Sequence, residues 1–529
     1  MQLGAIAMKH DASRVMQSIM QHGADDQRNK VLEAIGSKFV PLAKSKYGHQ
    51  LVAKCLRYGS KELKEKILKE FRGNVVRLAT HHLGALTLEE GFVHGWTTSQ
   101  SLRLLKELYG PDFILLPEVS GASDGQGARS LDKLFVKHPN VKESVLSHIA
   151  HVVQKAANKA LLGLTFLHRL VQDYLEFAEV EDKRKFIPNI TDAVVALVSS
   201  KPGTRAVILA LGFGSAKERK AMMQYMKPHA LEMATHDQGH VVLLKALACV
   251  DDTVLLRKCI FKELSPEKEK DSDEANPLLS VCLNQYGKKV ILQPLAPHCR
   301  TYFTQFDLDV MKHHTMNVNK NSETDVQYTS KKDDQVRQKE LITSLKPIIQ
   351  PLCLANSYEL IMNKHGSDVL LEATWQWGLQ DVVEDLCGHL RTQITNIPTN
   401  ATKEEIEHAT PLIHHPSAHL FFKRLILREA RNLADSSLPQ VGGKDIYLGR
   451  DGAKKVTVSE EFYKEVGCHI EQLITTNRGA FVVAALLEHP SVNRKLAGQI
   501  RKSLPEDAVV APGKAVLKEA VSEIEEHFS

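Results

Sequence analysis

The sequence predicts an all-α fold, a solenoid of stacked helical repeats. Three observations carry that prediction. A short phrase recurs along the chain at a near-constant interval. Between its copies, apolar residues fall at steps of three and four, the period of a helix with one buried face. The chain has 529 residues, 43% of them hydrophobic but only 6% aromatic. That is longer than one core serves, and it suits helices packed through Leu, Val and Ala.

The phrase is clearest in "SKYGHQLVAKCLRYGS", residues 45–60. A small residue precedes two polar slots and two apolar residues, and a third slot lies one helical turn beyond the first. Anchored on the small residue, copies sit at Ala12, Gly48, Gly84, Gly163, Gly203, Gly239, Gly287, Gly366, Ser417, Gly479 and Gly513. Four of the intervals are 34 to 36 residues. The longer ones hold polar insertions at 265–276, 313–334 and 433–455. The glycine-rich "PEVSGASDGQGARS", 117–130, reads as a linker or bend. One unit cannot bury both its faces, so neighbours must stack. The expected plan is about 11 repeats in two arms, L-shaped. Residues 1–115 hold repeats one to three, 116–130 the bend, and 131–529 repeats four to eleven. No run of strand-like alternation stands out.

The charge is uneven. Residues 1–110 hold 17 Lys and Arg against 10 Asp and Glu, a net of +7, and the other 419 hold 51 against 53. A clustered excess of this kind attracts polyanions. The eight Cys are scattered singly, with no C-x-x-C and no zinc spacing, and read as reduced core thiols. No apolar run reaches about 18 residues, so no membrane span is expected. The start, "MQLGAIAMKHDAS", lacks the charged beginning and long apolar core of a signal peptide.

The anchor phrase resembles the Pumilio (PUF) repeat. "ASRVMQ" (12–17), "YGHQLVAK" (47–54) and "YGKKVIL" (286–292) fit its frame. "SKKDDQVRQKELI" (330–342), "HHPSAHLFFKRLI" (414–426) and "NRGAFVVAALL" (477–487) narrow the likeness to the nucleolar Puf-A subfamily. Members of that subfamily carry a Lys-rich tail before the first repeat, which this sequence does not show. The resemblance implies a nucleolar protein of the nucleus that acts in large-subunit ribosome biogenesis and pre-rRNA processing. It implies structured or double-stranded nucleic acid as ligand, pre-ribosomal proteins as neighbours, and a monomer.

Repeats of this family read one base each with two or three side chains. Ser13, Arg14 and Gln17 form a complete triplet, which in classical PUF proteins favours adenine. Repeat two offers His49 and Gln50 but ends on Ala53, and later repeats end on Glu89, His168, Ile208 or apolar residues. One intact reader cannot specify a site, because a wrong base costs only ~1–3 kcal/mol. What remains is charge. Lys44, Lys46, Lys54 and Arg57 cluster around repeat two, with Tyr47 able to stack. Arg72 and Arg77 follow, with His81 and His82 at the next turn. Arg205, Lys288 and Lys289 occupy slots farther on. Such side chains meet phosphates regardless of base. The expected function is RNA binding, with DNA as a second ligand, through the backbone. Two alternatives stay open: a single-strand reader repressing mRNA translation, and a protein-binding scaffold.

Other signals are set aside. "HHPSAH" (414–419) lacks a fourth ligand and the supporting carboxylates a metal wants, and reads as capping at a repeat edge. "GGKD" (442–445) lacks the frame of a phosphate loop. No nucleophile–base or paired-carboxylate motif stands out, so neither an enzyme nor a cofactor is expected.

Overall fold

A computed structural model describes residues 8–36, 38–116, 131–266, 276–317, 326–397, 402–434 and 457–489, with short pieces beyond. Ten anchor helices follow the recurrent phrase. They are α1 (His10–His22), α2 (Gly48–Tyr58), α3 (His82–Glu90), α4 (Thr165–Phe177) and α5 (Lys201–Phe213). Then come α6 (Gly239–Cys249), α7 (Gly287–Leu295), α8 (Lys364–Trp377), α9 (Ala418–Ala434) and α10 (Asn477–Leu487). The eleventh anchor, Gly513, lies outside the described residues, as do most of 117–130, 265–276 and 433–455.

Each full repeat has three parts. In repeat two a short helix, Phe39–Ala43, turns sharply into α2, and an outer helix, Lys61–Phe71, runs back. Ser60 starts that outer helix by accepting the Leu63 N–H. Its buried stripe is Leu63, Ile67, Leu68 and Phe71, and lysines and glutamates fill the other face. Each buried side chain contributes roughly 1.5–3 kcal/mol. Truncating Phe71 to Ala would remove about 3–5 kcal/mol.

The sharp turn explains the small anchor residue. A Cβ on Gly239 would stand 2.5 Å from the Met233 carbonyl oxygen, and one on Gly366 2.7 Å from that of Leu360. The chain passes its own backbone too closely for a side chain. A residue three positions earlier then takes the anchor N–H. Ser45, His81, Ser200, His236, Asn284, Asn363 and Thr476 all do this, at 3.0–3.4 Å.

Two compact units divide the chain: Met1–Met226 with His313–Thr329, and Lys227–Lys312 with Ser330–Ser529. In the first, α1 packs on α2, α2 on α3, and α4 on α5. In the second, α6, α7, α8, α9 and α10 pack each on the next. On either side of the expected bend, Pro111–Ile114 and the 19-residue helix Pro139–Ala157 pack together within the first unit.

Two details depart from the sequence reading. The insertion at 313–334 contains a short antiparallel hairpin, β1 (Thr315–Asn317) with β2 (Val326–Tyr328). Three-residue strands are too short to show alternation. The hairpin's base is seated on the end of α5. The His314 ring lies against Phe213, with centroids 4.6 Å apart, and buried Arg219 donates to the carbonyls of Leu211, Gly212 and Thr329. The second departure is register. Gly163 makes no close approach, its Cβ position meeting only Ala196 at 3.8 Å. The residue in the anchor place of α4 is Leu167. His168 after it bonds the Leu162 carbonyl, six residues back, as Thr204 bonds Val198 in α5. Likewise Ala418, not Ser417, holds the anchor place of α9, since His419 bonds the His415 carbonyl as His240 bonds that of His236.

Seven of the eight cysteines are buried. Burial pushes the Cys55 and Cys353 thiols up to about 12, so they stay protonated and unreactive at neutral pH. Among the described residues no helix is long and apolar enough to cross a membrane.

Candidate nucleic-acid interface

The three slots have different fates. First-slot side chains turn inward: Ser13, His49, His168, Thr204, His240, Lys288 and Ser367 are all buried. Ser13 Oγ donates to the Tyr47 carbonyl of the next repeat at 2.9 Å, and Gln17 Nε2 donates back to Ser13 at 3.1 Å. The expected reader triplet is therefore joined to the fold, with only Arg14 exposed. His49 contacts the Ser45 carbonyl through Nδ1 at 3.1 Å, and its Nε2 meets the exposed Gln50 amide at 2.9 Å. In the third slot, Glu89 accepts the Thr165 N–H and hydroxyl at 3.0 and 2.7 Å, so it caps α4.

Several predicted phosphate contacts are engaged elsewhere. Arg57 makes a two-pronged pair with Glu90, at 2.6 and 2.9 Å. Lys54 donates to Gln21 at 2.8 Å. Arg205 pairs with Glu176 at 3.3 Å. Lys288 meets Asp368 and Lys289 meets Asp307, each at 2.6 Å and nearly buried. These partners stand 18 to 80 positions away in sequence, which is why the slots alone suggest free cations.

The cations left open belong to the first repeats. Arg14, Lys46, Arg72 and Arg77 are exposed and Lys44 is half-buried. Among the described residues none of the five forms an ion pair; Arg77 reaches only Asn74, at 3.5 Å. Lys46 lies 5.4 Å from the Tyr47 ring centre, and His10 meets that ring edge-on at 5.1 Å. Lys44, Lys46 and Tyr47 occupy the turn before α2, while His81 caps α3 and His82 is its first residue. Lys159 joins them from repeat four, its ammonium on the Thr80 carbonyl. Sequence reasoning missed Lys159, because nothing local marks a side chain that reaches back 79 positions. Burial first, then Lys44, Lys159 and His82, hold His81 below its ordinary pKa.

Known proteins resemble this chain in sequence and fold. The family model for the Pumilio-family RNA binding repeat matches residues 11–35 and 38–71, and that for the CPL (NUC119) domain matches 283–437. Human Pumilio homolog 3 is 26% identical over 504 residues, covering 94% of this chain and 69% of its own. Pumilio homology domain family member 6 of Schizosaccharomyces pombe is 26% identical over 369 residues, 70% of this chain and 54% of its own. The crystal structure of human Puf-A superposes with a TM-score of 0.76 at 23% identity, covering 98% of this chain and 92% of that one. The chain has the fold of Puf-A, and its first two repeats match the Pumilio-repeat model. Human Puf-A in complex with DNA superposes equally well, at 0.75 and 24% identity, with the same coverage. The two Pumilio matches span α1 and α2, whose turns carry Lys44, Lys46 and Tyr47. The CPL match begins just before α7 and takes in Lys288, Lys289 and their acidic partners.

Proposed function

We propose that this chain binds RNA, and duplex DNA as a second ligand, through backbone phosphates and with little regard to base sequence. One observation carries the reading. Wherever the slots are described, the first side chain is buried or half-buried and the third is apolar or bonded within the protein, so no series of base readers exists. The open cations of repeats one to three remain, and they suit phosphates. The complex of human Puf-A with DNA supports DNA as a ligand for this fold.

The test compares unrelated RNAs of equal length and structure at several salt concentrations. Affinities should agree within about 100-fold, roughly 2.8 kcal/mol, and fall steeply with salt. A sharp preferred motif from a random pool would restore the mRNA-reader alternative. Negligible affinity at physiological salt would favour the protein scaffold.

The cellular part of the proposal is nucleolar residence and a role in large-subunit ribosome assembly and pre-rRNA processing. The likeness to Puf-A proteins supports it. Crosslinking the protein to RNA in cells and sequencing the product tests it. Recovery of mostly messenger RNA would overturn it.

A further inference from the structure

We propose that the turn edge of repeats two to four, where Lys44, His81 and Lys159 converge, is a seat for one backbone phosphate, with His81 as a neutral donor. The seat rests on the nucleic-acid reading above and gives it a location. That location is the row of turns before the anchor helices, not the slots along them.

Three observations define it. His81 Nδ1 accepts the Gly84 N–H at 3.3 Å. An accepting nitrogen carries no proton, so the ring holds its hydrogen on Nε2. Among the described residues no protein group takes that Nε2–H, leaving it as a donor. Second, Lys159 is fixed beside it by the Thr80 carbonyl, one residue before His81. Third, Lys44, at the end of the short helix before α2, has no ion-pair partner among the described residues. The charges that bear on His81 come from Lys44, Lys159 and His82, with no carboxylate among them. Two neighbouring cations disfavour a third charge on the ring, so the neutral, capping tautomer persists at physiological pH. A phosphate oxygen would find two ammonium groups and one N–H, drawn from three repeats.

The cap also supplies clean variants. Asn284 and Asn363 hold the same position before α7 and α8 and accept the same anchor N–H at 3.1 Å. His81→Asn therefore keeps the cap on a shorter side chain, whose amide N–H stops short of the place the ring Nε2–H occupies. His81→Ser does so in the manner of Ser45 and Ser200, at 3.0 and 3.1 Å. A neutral donor displaces no counterion, whereas a lysine does.

The experiment uses the full chain and a fluorescent duplex RNA of about 20 base pairs, titrated at several salt concentrations. His81→Asn and His81→Ser should melt like the parent and bind ~tenfold more weakly, the scale of one hydrogen bond to a charged group. Their slope of log affinity against log salt should match the parent's. Lys44→Gln should instead flatten that slope by about 0.7–0.9. In histidine-labelled protein, the resonance missing from both His81 variants should report the Nε2–H tautomer and shift on adding RNA. Parent-like affinity in both His81 variants, or an unchanged slope in Lys44→Gln, would remove the seat and leave backbone binding intact. A parent chain that binds no RNA at all would remove both.

Discussion

Repeats one to three and the segment from α7 to α9 carry similar basic residues and use them oppositely. Around α7 to α9 the cations are matched by acids from other repeats. Asp368 takes both Lys288 and Arg424, at 2.6 and 3.2 Å, and Asp307 takes Lys289. Arg428 and Glu372, almost wholly buried, form a two-pronged pair at 2.5 and 3.1 Å, with the Tyr302 hydroxyl on the same carboxylate. In the first repeats several acids serve the backbone instead. Glu70 accepts the Val40 N–H at 3.2 Å, and Glu107 accepts those of Gly73 and Val75 at 2.8 and 3.2 Å. The net +7 of residues 1–110 is thus exposed locally as well as formally. Charge count marks the first region as basic; what each carboxylate binds decides which cations stay open.

The largest effect should come from the matched region. Glu372→Ala leaves Arg428 buried without its partner, which should cost about 3–5 kcal/mol. The denaturant midpoint reads this directly, and RNA affinity of the folded fraction should not change. A loss under about 1 kcal/mol would mean that these ions hold nothing together, and the contrast between regions would collapse.

Both regions rest on one turn geometry, which a pair of glycine variants tests. Gly239→Ala places a methyl against the Met233 carbonyl and should destabilise by about 1–3 kcal/mol. Gly163→Ala meets nothing closer than 3.8 Å and should be near neutral in a melting curve. Equal losses at the two positions would restore Gly163 as the repeat-four anchor.

These two glycines also mark how far the sequence could be read. The solenoid was legible, since a small residue recurring at 36 positions reflects a turn too tight for a side chain. Leu167 was not, because its turn is built differently, with Ala160 at φ 54° and no anchor glycine. The basic character of the first repeats was legible from composition. Which cations stay open was not. Arg57 looks free until Glu90, 33 positions on, is brought beside it. His49 and Ser13 look like readers, because burial depends on the next helix, not on their own.

Binding should follow that division. Lys46→Gln removes an open cation and should flatten the salt slope by about 0.7–0.9. Arg57→Ala removes one already paired, with 44% of its side chain exposed and 18% of Glu90's. It should change the slope by less than half as much and leave stability little altered. Glu90→Gln, which releases Arg57, should steepen the slope. If Arg57→Ala flattens the slope as much as Lys46→Gln does, the pair opens to ligand and engaged cations count after all.

The smallest effect concerns Ser13, and it separates reading from building. Its hydroxyl is wholly buried, donates to the Tyr47 carbonyl and accepts from Gln17. Ser13→Ala deletes that bridge between repeats one and two, which should cost about 0.5–1.5 kcal/mol of stability. It should lower affinity for adenine-rich and adenine-free RNA alike, and only slightly, through loosened placement of Tyr47 and Lys46. Ser13→Thr keeps the hydroxyl but adds a methyl at a fully buried position, so it confounds the bridge with overpacking. Ser13→Cys, a weak donor of similar size, is the better control and should fall between Ser and Ala in melting temperature. A loss confined to adenine-rich RNA, with the melting curve unmoved, would show that the first repeat turns Ser13 outward to read a base.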